Sequence, residues 1–162
     1  MQWAYIASVF LHILAATFWL GGMLFLAIVV VPALRGVPER VRLLERMGKL
    51  FERASVIALA VLLVTGVVNL LFRGVAQVSD LWSSPVGRMG ALKLALFVVM
   101  AMLSLWHNAV LGRRALALLQ QGREDPHAAR LVLWSRWVGR LLVLLSVILV
   151  LLGVLIARGV GL

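Results

Sequence analysis

Four apolar stretches, each about as long as a bilayer is thick, leave this chain few ways to fold. A hydrocarbon layer of roughly 30 Å takes about 20 helical residues to cross, and residues 3–31, 50–72, 90–111 and 133–157 each meet that length. Within lipid every backbone N–H and C=O must be satisfied inside its own segment, so the stretches are expected to be helices. The expected fold class is all-α: an integral membrane, antiparallel four-transmembrane-helix bundle forming a single domain over residues 1–162. With 64% of residues hydrophobic and 14% charged, nothing is left over for a separate soluble domain, and the polar stretches have the length of ordinary connections. The first stretch lacks the basic leader of a secretory signal and outruns its usual apolar core, so it reads as a retained span.

Punctuation between the stretches agrees. Pro32 and Pro38 mark the end of the first span, SDLWSSPVG (Ser79 to Gly87) reads as the loop before the third, and QGREDPH (Gln121 to His127) as a turn before the fourth. The pattern PERVRLLERMGKLFER after Val37 is amphipathic, which predicts that the second span extends out of the bilayer as a basic helix. Twelve of the sixteen basic residues flank two connections: Arg35, Arg40, Arg42, Arg46, Lys49 and Arg53 at the first, and Arg113, Arg114, Arg123, Arg130, Arg136 and Arg140 at the other. The positive-inside rule makes both connections cytoplasmic and sets both termini outside. The net charge of +10 therefore points to a bilayer with anionic headgroups as partner and away from nucleic acid, because the cations flank spans and cover no soluble face. Trp3, Tyr5 and Trp82 suit the outer interface, and Trp134 and Trp137 the inner.

Chemistry is left to few residues. The chain contains no cysteine, which excludes disulfides, thiolate zinc sites and iron–sulfur ligation and leaves His, Met, Lys and carboxylates as metal ligands. Neither a nucleophile–base–orienter set nor a phosphate-binding loop is present, so any turnover would be redox chemistry on a bound group. Lys93, Met100 and His107 recur every seven residues, placing a cation, a thioether and an imidazole on one helical stripe. Ionisable side chains inside a span are costly and ordinarily face a partner or guest. The plainer alternative is anchoring, with Lys93 reaching toward one interface and His107 toward the other.

Depth follows from span midpoints near Thr17, Val61, Ala101 and Ser146. At about 1.5 Å per residue, His12 lies ~7 Å and Asn69 and Lys93 ~12 Å outward, so with Thr65 they form an expected outer polar layer. His107 lies ~9 Å inward on the same scale, too far to share one ion with His12. In the first span His12, Ala15, Ala16, Trp19, Gly22 and Met23 share helical spacing, an imidazole beside small residues that admit either a flat macrocycle or, as is common, a neighbouring helix. His12 could also be hydrogen-bonded to Thr65 or Asn69. Still, two basic groups at one depth without a carboxylate in any span core call for a guest.

Two guests match these residues. Haem b would take His12 as axial ligand and Lys93 as second ligand or propionate partner, with Thr65 and Asn69 behind them, Trp19 and Gly22 alongside, and Arg73 or Arg88 near its propionates. Copper would draw on imidazole and thioether, His107 and Met100 included. His107 and Asn108, with Arg136 and Arg140 opposite, form a candidate inner anion or cofactor site. A cofactor-free accessory subunit is the third reading, and a homodimer through small-residue faces and a redox partner protein belong to the same expectations.

Three stretches carry a family resemblance: LHILAATFWLGGMLF (Leu11 to Phe25) followed by Pro32, LVTGVVN (Leu63 to Asn69), and GRMGALKLALFVVMAMLSLWHNAVLGRRA (Gly87 to Ala115). In these the chain resembles the copper-resistance D (CopD-like) membrane proteins and, more distantly, the HemJ-type protoporphyrinogen oxidases. The first resemblance implies copper handling in a bacterial-type inner membrane. The second implies haem b held by a first-span His and a third-span Lys, which match His12 and Lys93.

Overall fold

The computed structural model describes residues 2–112, 114, 118 and 126–159. Four helices in it are long and apolar enough to cross a membrane: Gln2–Ala33, Arg40–Phe72, Pro85–Val110 and Ala129–Ala157. They run antiparallel. Tyr5 packs at a tilt on Phe72 and Phe18 on Phe51, which pairs the start of the first span with the end of the second, while Lys93 lies over Gly153 and His107 against Ser135, which does the same for the third and fourth. Packing is closest within these two pairs, and the pairs meet along a looser seam.

The first span opens into a π-helical turn at Leu26–Val30 before ending at Val31–Ala33. Pro32 lacks the N–H that would bond Ile28 O, and its ring crowds that carbonyl, so a widened turn just ahead of it relieves the conflict. Gly36 then turns the chain at φ 82°. The second helix starts at Arg40 and runs unbroken to Phe72, so the amphipathic basic segment and the span are one rod. Its far end is closed by Gly74 at φ 84°, where Val75 N–H bonds Leu70 O and Gly74 N–H bonds Leu71 O. Only a residue without Cβ takes that left-handed position cheaply, and the buried Val75 side chain seals the cap.

The segment Ser79 to Gly87, expected to be loop, instead contains a short helix, Asp80–Ser83, and the first turn of the third span, Pro85–Trp106. Local hydrogen bonding accounts for the difference. Asp80 Oδ2 accepts from the N–H groups of Ala76 and Gln77 at 2.9 and 2.7 Å, and Ser84 Oγ accepts from Gly87 N–H at 2.9 Å as N-cap ahead of Pro85. The expected turn at Gln121 to His127 lies outside the described residues up to Asp125, and a helix runs Pro126–Ala157. The interior is assembled from all four spans, with Trp19, Leu59, Leu62, Met100, Leu142 and Leu149 in one buried cluster. Trp19 and Met100 are each 2% exposed, so both side chains point into the interior.

Candidate functional site

Thr65 organises the polar layer near the end where the first span starts and the fourth finishes. Its hydroxyl donates to Val61 O at 2.6 Å, the usual back-bond of a threonine inside a helix. With that proton committed, the hydroxyl can only accept from His12 Nδ1, 2.8 Å away. The imidazole is therefore the Nδ1–H tautomer, and Nε2 keeps its lone pair. The ring lies along Gly66, where an added Cβ would meet His12 Cε1 at 3.4 Å. This second-span hydroxyl and glycine thus hold the ring in one orientation, an arrangement typical of metal-ligating histidines. Ser8 Oγ adds a longer bond, 3.5 Å, to Thr65 O.

Lys93 reaches this layer from the third span. Its Nζ sits over Gly153, where a Cβ would come within 2.8 Å, so the glycine makes room for the amine. Among the described residues no group accepts a hydrogen bond from Nζ, and Lys93 lies within electrostatic range of both His12 and Arg73. Asn69, one turn beyond Thr65, has a buried Oδ1 without a hydrogen-bond partner. Three helices thus bring an imidazole nitrogen, an amine and an amide oxygen to a common depth, the last of them buried without a hydrogen-bond partner. Leaving one such group unpaired in an apolar setting costs about 1–3 kcal/mol, so the set describes a place for something polar.

The remaining expected site residues take other positions. Arg73 donates from Nη1 to Ile156 O at 2.9 Å, tying the end of the second span to the fourth. Arg88 is exposed and donates to Trp82 O at 3.3 Å. Gly22 is covered by the Phe51 ring, which an added Cβ would strike, so the small residue serves helix packing there. Met100 Sδ faces Ser146 Oγ at 3.5 Å, away from the polar layer by about two turns, while that hydroxyl also donates to Leu142 O at 2.6 Å.

His107 begins a second π-helical segment, His107–Gly112. Its Nε2 lies 3.1 Å from Ser135 Oγ and 3.2 Å from Ser135 O, and its Nδ1 lies 3.3 Å from Asn108 Oδ1. Arg136 and Arg140 do not join it: both are exposed, and Arg140 stacks on Trp137 at 4.9 Å. Arg113, Arg123 and the His127 side chain lie outside the described residues. Among the described residues no three of His, Cys, Asp and Glu gather into a metal cluster, and two apolar clefts, of about 170 and 310 Å³, lie away from His12 and Lys93.

The third-span heptad meets a fourth-span one that sequence reading overlooked. Gly139, Ser146 and Gly153 also recur every seven residues, and antiparallel packing sets Gly153 under Lys93 and Ser146 beside Met100. The small-residue repeat was the available signal. Trp19, expected on the His12 stripe, is buried with Nε1 unpartnered; the equally unpartnered Ser55 Oγ had no signal, because which face of an apolar helix is buried cannot be told from its own sequence.

A four-helix membrane protein with a partly unsatisfied basic layer between its spans is the class that fold and site define. The family model described as copper resistance protein D matches residues 45–155, and the chain belongs to this CopD family. The matched segment takes in Thr65, Asn69, Lys93, Met100 and His107 and leaves out the span bearing His12. A similar protein from Aquifex aeolicus (strain VF5), described only as uncharacterized, is 37% identical over 153 residues, 93% of either chain. Copper resistance protein D of Pseudomonas syringae pv. tomato is 32% identical over 133 residues, which span 82% of this chain and 42% of that protein. No solved structure matches.

Proposed function

We propose that this chain is a copper-handling membrane protein of the CopD family that takes up a copper ion in the outer half of the bundle, with His12 Nε2 as the leading ligand. One observation carries the reading: Thr65 fixes the His12 tautomer so that Nε2 presents a lone pair in the layer where Asn69 Oδ1 and Lys93 Nζ are unsatisfied. Imidazole nitrogen is a good copper donor, and the name of the Pseudomonas syringae relative supports copper as the cargo. A cation is accepted beside Lys93 only when that side chain is the free amine, which then serves as a second nitrogen donor. The thioethers do not lead here, since Met100 Sδ faces Ser146.

Metal analysis of the protein purified from copper-supplied cells tests this directly. About one copper per chain in the wild type supports the reading, and background copper in both wild type and variants overturns it. Proton competition adds a second check. Binding requires unprotonated His12 and Lys93, so copper affinity is expected to rise with pH and protons to be released on uptake. Affinity independent of pH would exclude these two donors.

Haem b is the second reading, favoured by Lys93 within electrostatic range of the His12 imidazole and by Arg73 beyond it, which would suit carboxylate propionates and an axial histidine. If this group is bound, His12 holds its iron and the cofactor supplies one-electron chemistry. A Soret band in the purified protein, absent in His12→Ala, is its signature.

A further inference from the structure

The cleft of about 310 Å³ opens at the basic end of the first two spans, and its surroundings specify an occupant independently of the copper reading. Its walls include Phe18, Gly22 and Leu26 from the first span and Met47, Leu50 and Ala54 from the second, all apolar. Eight residues separate Phe18 from Leu26, so the slot is about 12 Å long and follows the helix axes. Phe51 packed on Gly22 forms its floor, while Leu50, Phe18 and Phe25 remain exposed along it. Such a slot suits an extended hydrocarbon chain entering from the bilayer.

Charge around the second helix is segregated with respect to that slot. At about 100° per residue, Arg46 and Arg53 fall some 90–110° from the slot's midline, both on its Leu50 flank, whereas Glu45 and Glu52 fall about 150–170° from it. Lys49 is turned to the acidic side and is held by Glu45 at 2.6 Å. Arg40, two turns from Met47, is on the slot's own stripe at its basic end. Side chains on this helix lean toward its N-terminus, which carries the Arg46 and Arg53 guanidiniums toward the headgroup level. Arg46 and Arg53 are exposed.

From this we infer a binding site for one anionic phospholipid: an acyl chain in the slot between the first two spans, and the phosphate on the slot's Leu50 flank between Arg46 and Arg53, with Arg40 about 9 Å further toward the basic end. The acidic face on the far side of the helix leaves the headgroup unopposed. A zwitterionic lipid would fill the same slot without the arginine preference.

Native mass spectrometry of the whole chain, released from micelles doped with equal phosphatidylglycerol and phosphatidylcholine, tests the site. Wild type is expected to retain one phosphatidylglycerol in preference to phosphatidylcholine. Arg46→Gln with Arg53→Gln should reduce that preference on the order of tenfold or more, given the strength of basic side chains at an anionic surface. Ala54→Trp, which fills the slot and keeps every charge, should abolish retention of both lipids, with helicity by circular dichroism confirming that the bundle is intact. Arg136→Gln with Arg140→Gln, which removes two cations elsewhere at the same end, should leave retention unchanged. Equal retention of the two lipids by wild type, or equal losses from the two arginine pairs, would overturn the specific site in favour of diffuse attraction.

Discussion

His12→Ala is expected to bring bound copper to background while the protein remains helical and membrane-inserted. The imidazole bonds the Thr65 side chain with the Leu62 backbone beside it, and its ring is only partly buried beside Gly66, so the bundle keeps most of its packing when it is removed. The donor itself is irreplaceable within its layer, where the other unsatisfied groups are one amide oxygen and one amine. Thr65→Val is the more discriminating partner variant. It keeps the shape of the side chain but deletes the hydroxyl that holds Nδ1–H, so the ring can turn or change tautomer, and affinity should drop by roughly 10- to 100-fold without disappearing. A purely structural His12 would give the reverse order, with lower resistance to unfolding and unchanged metal content. Isothermal titration with copper, set beside thermal unfolding of each variant, separates the two results.

The largest loss of stability is expected from Gly87→Ala. A Cβ at Gly87 would collide with Asp80 O and fall 2.9 Å from Ser84 Oγ. The first contact is with backbone, which cannot swing aside as a side-chain tip can, and the second is with the cap that starts the third span. Relief requires moving the Asp80–Ser83 helix off the end of Pro85–Trp106, at a cost of about 2–3 kcal/mol as for other overpacked sites. Gly21→Ala provides the contrast. Nothing lies within 4 Å of a Cβ there, so the substitution should be neutral or stabilising by up to about 1 kcal/mol through helix propensity. Unfolding in increasing fractions of sodium dodecyl sulfate, followed by helicity, would rank the two. Equal behaviour would mean that the segment before the third span is not docked as described.

Some of the site was legible before any fold was known. Simple rise-per-residue arithmetic placed His12 and Thr65 at similar depths, and the structure joins them at 2.8 Å. The heptad of Lys93, Met100 and His107 marked one face of the third span, and all three lie against the fourth. Arithmetic along an axis says nothing about rotation around it, however. It allowed Thr65 and Asn69 equally as partners of His12, and it grouped Arg136 and Arg140 with His107 because their depths agree, although both turn outward. Gly22 shows the same limit: a small residue marks close approach without saying whether a ring from a guest or from Phe51 arrives.

What the amino-acid order alone determined is the number of crossings, their alternating direction and the segregation of charge to one end, because lipid allows only self-satisfied backbone and charges avoid its interior. Tertiary structure alone decided which lone pair of His12 is left open, which helix makes room for Lys93 and where an apolar slot meets arginines. Those features depend on rotation and register between helices, which in a bilayer are set by the fit of small residues and single hydrogen bonds, since uniformly apolar surfaces of such helices carry almost no preference of their own.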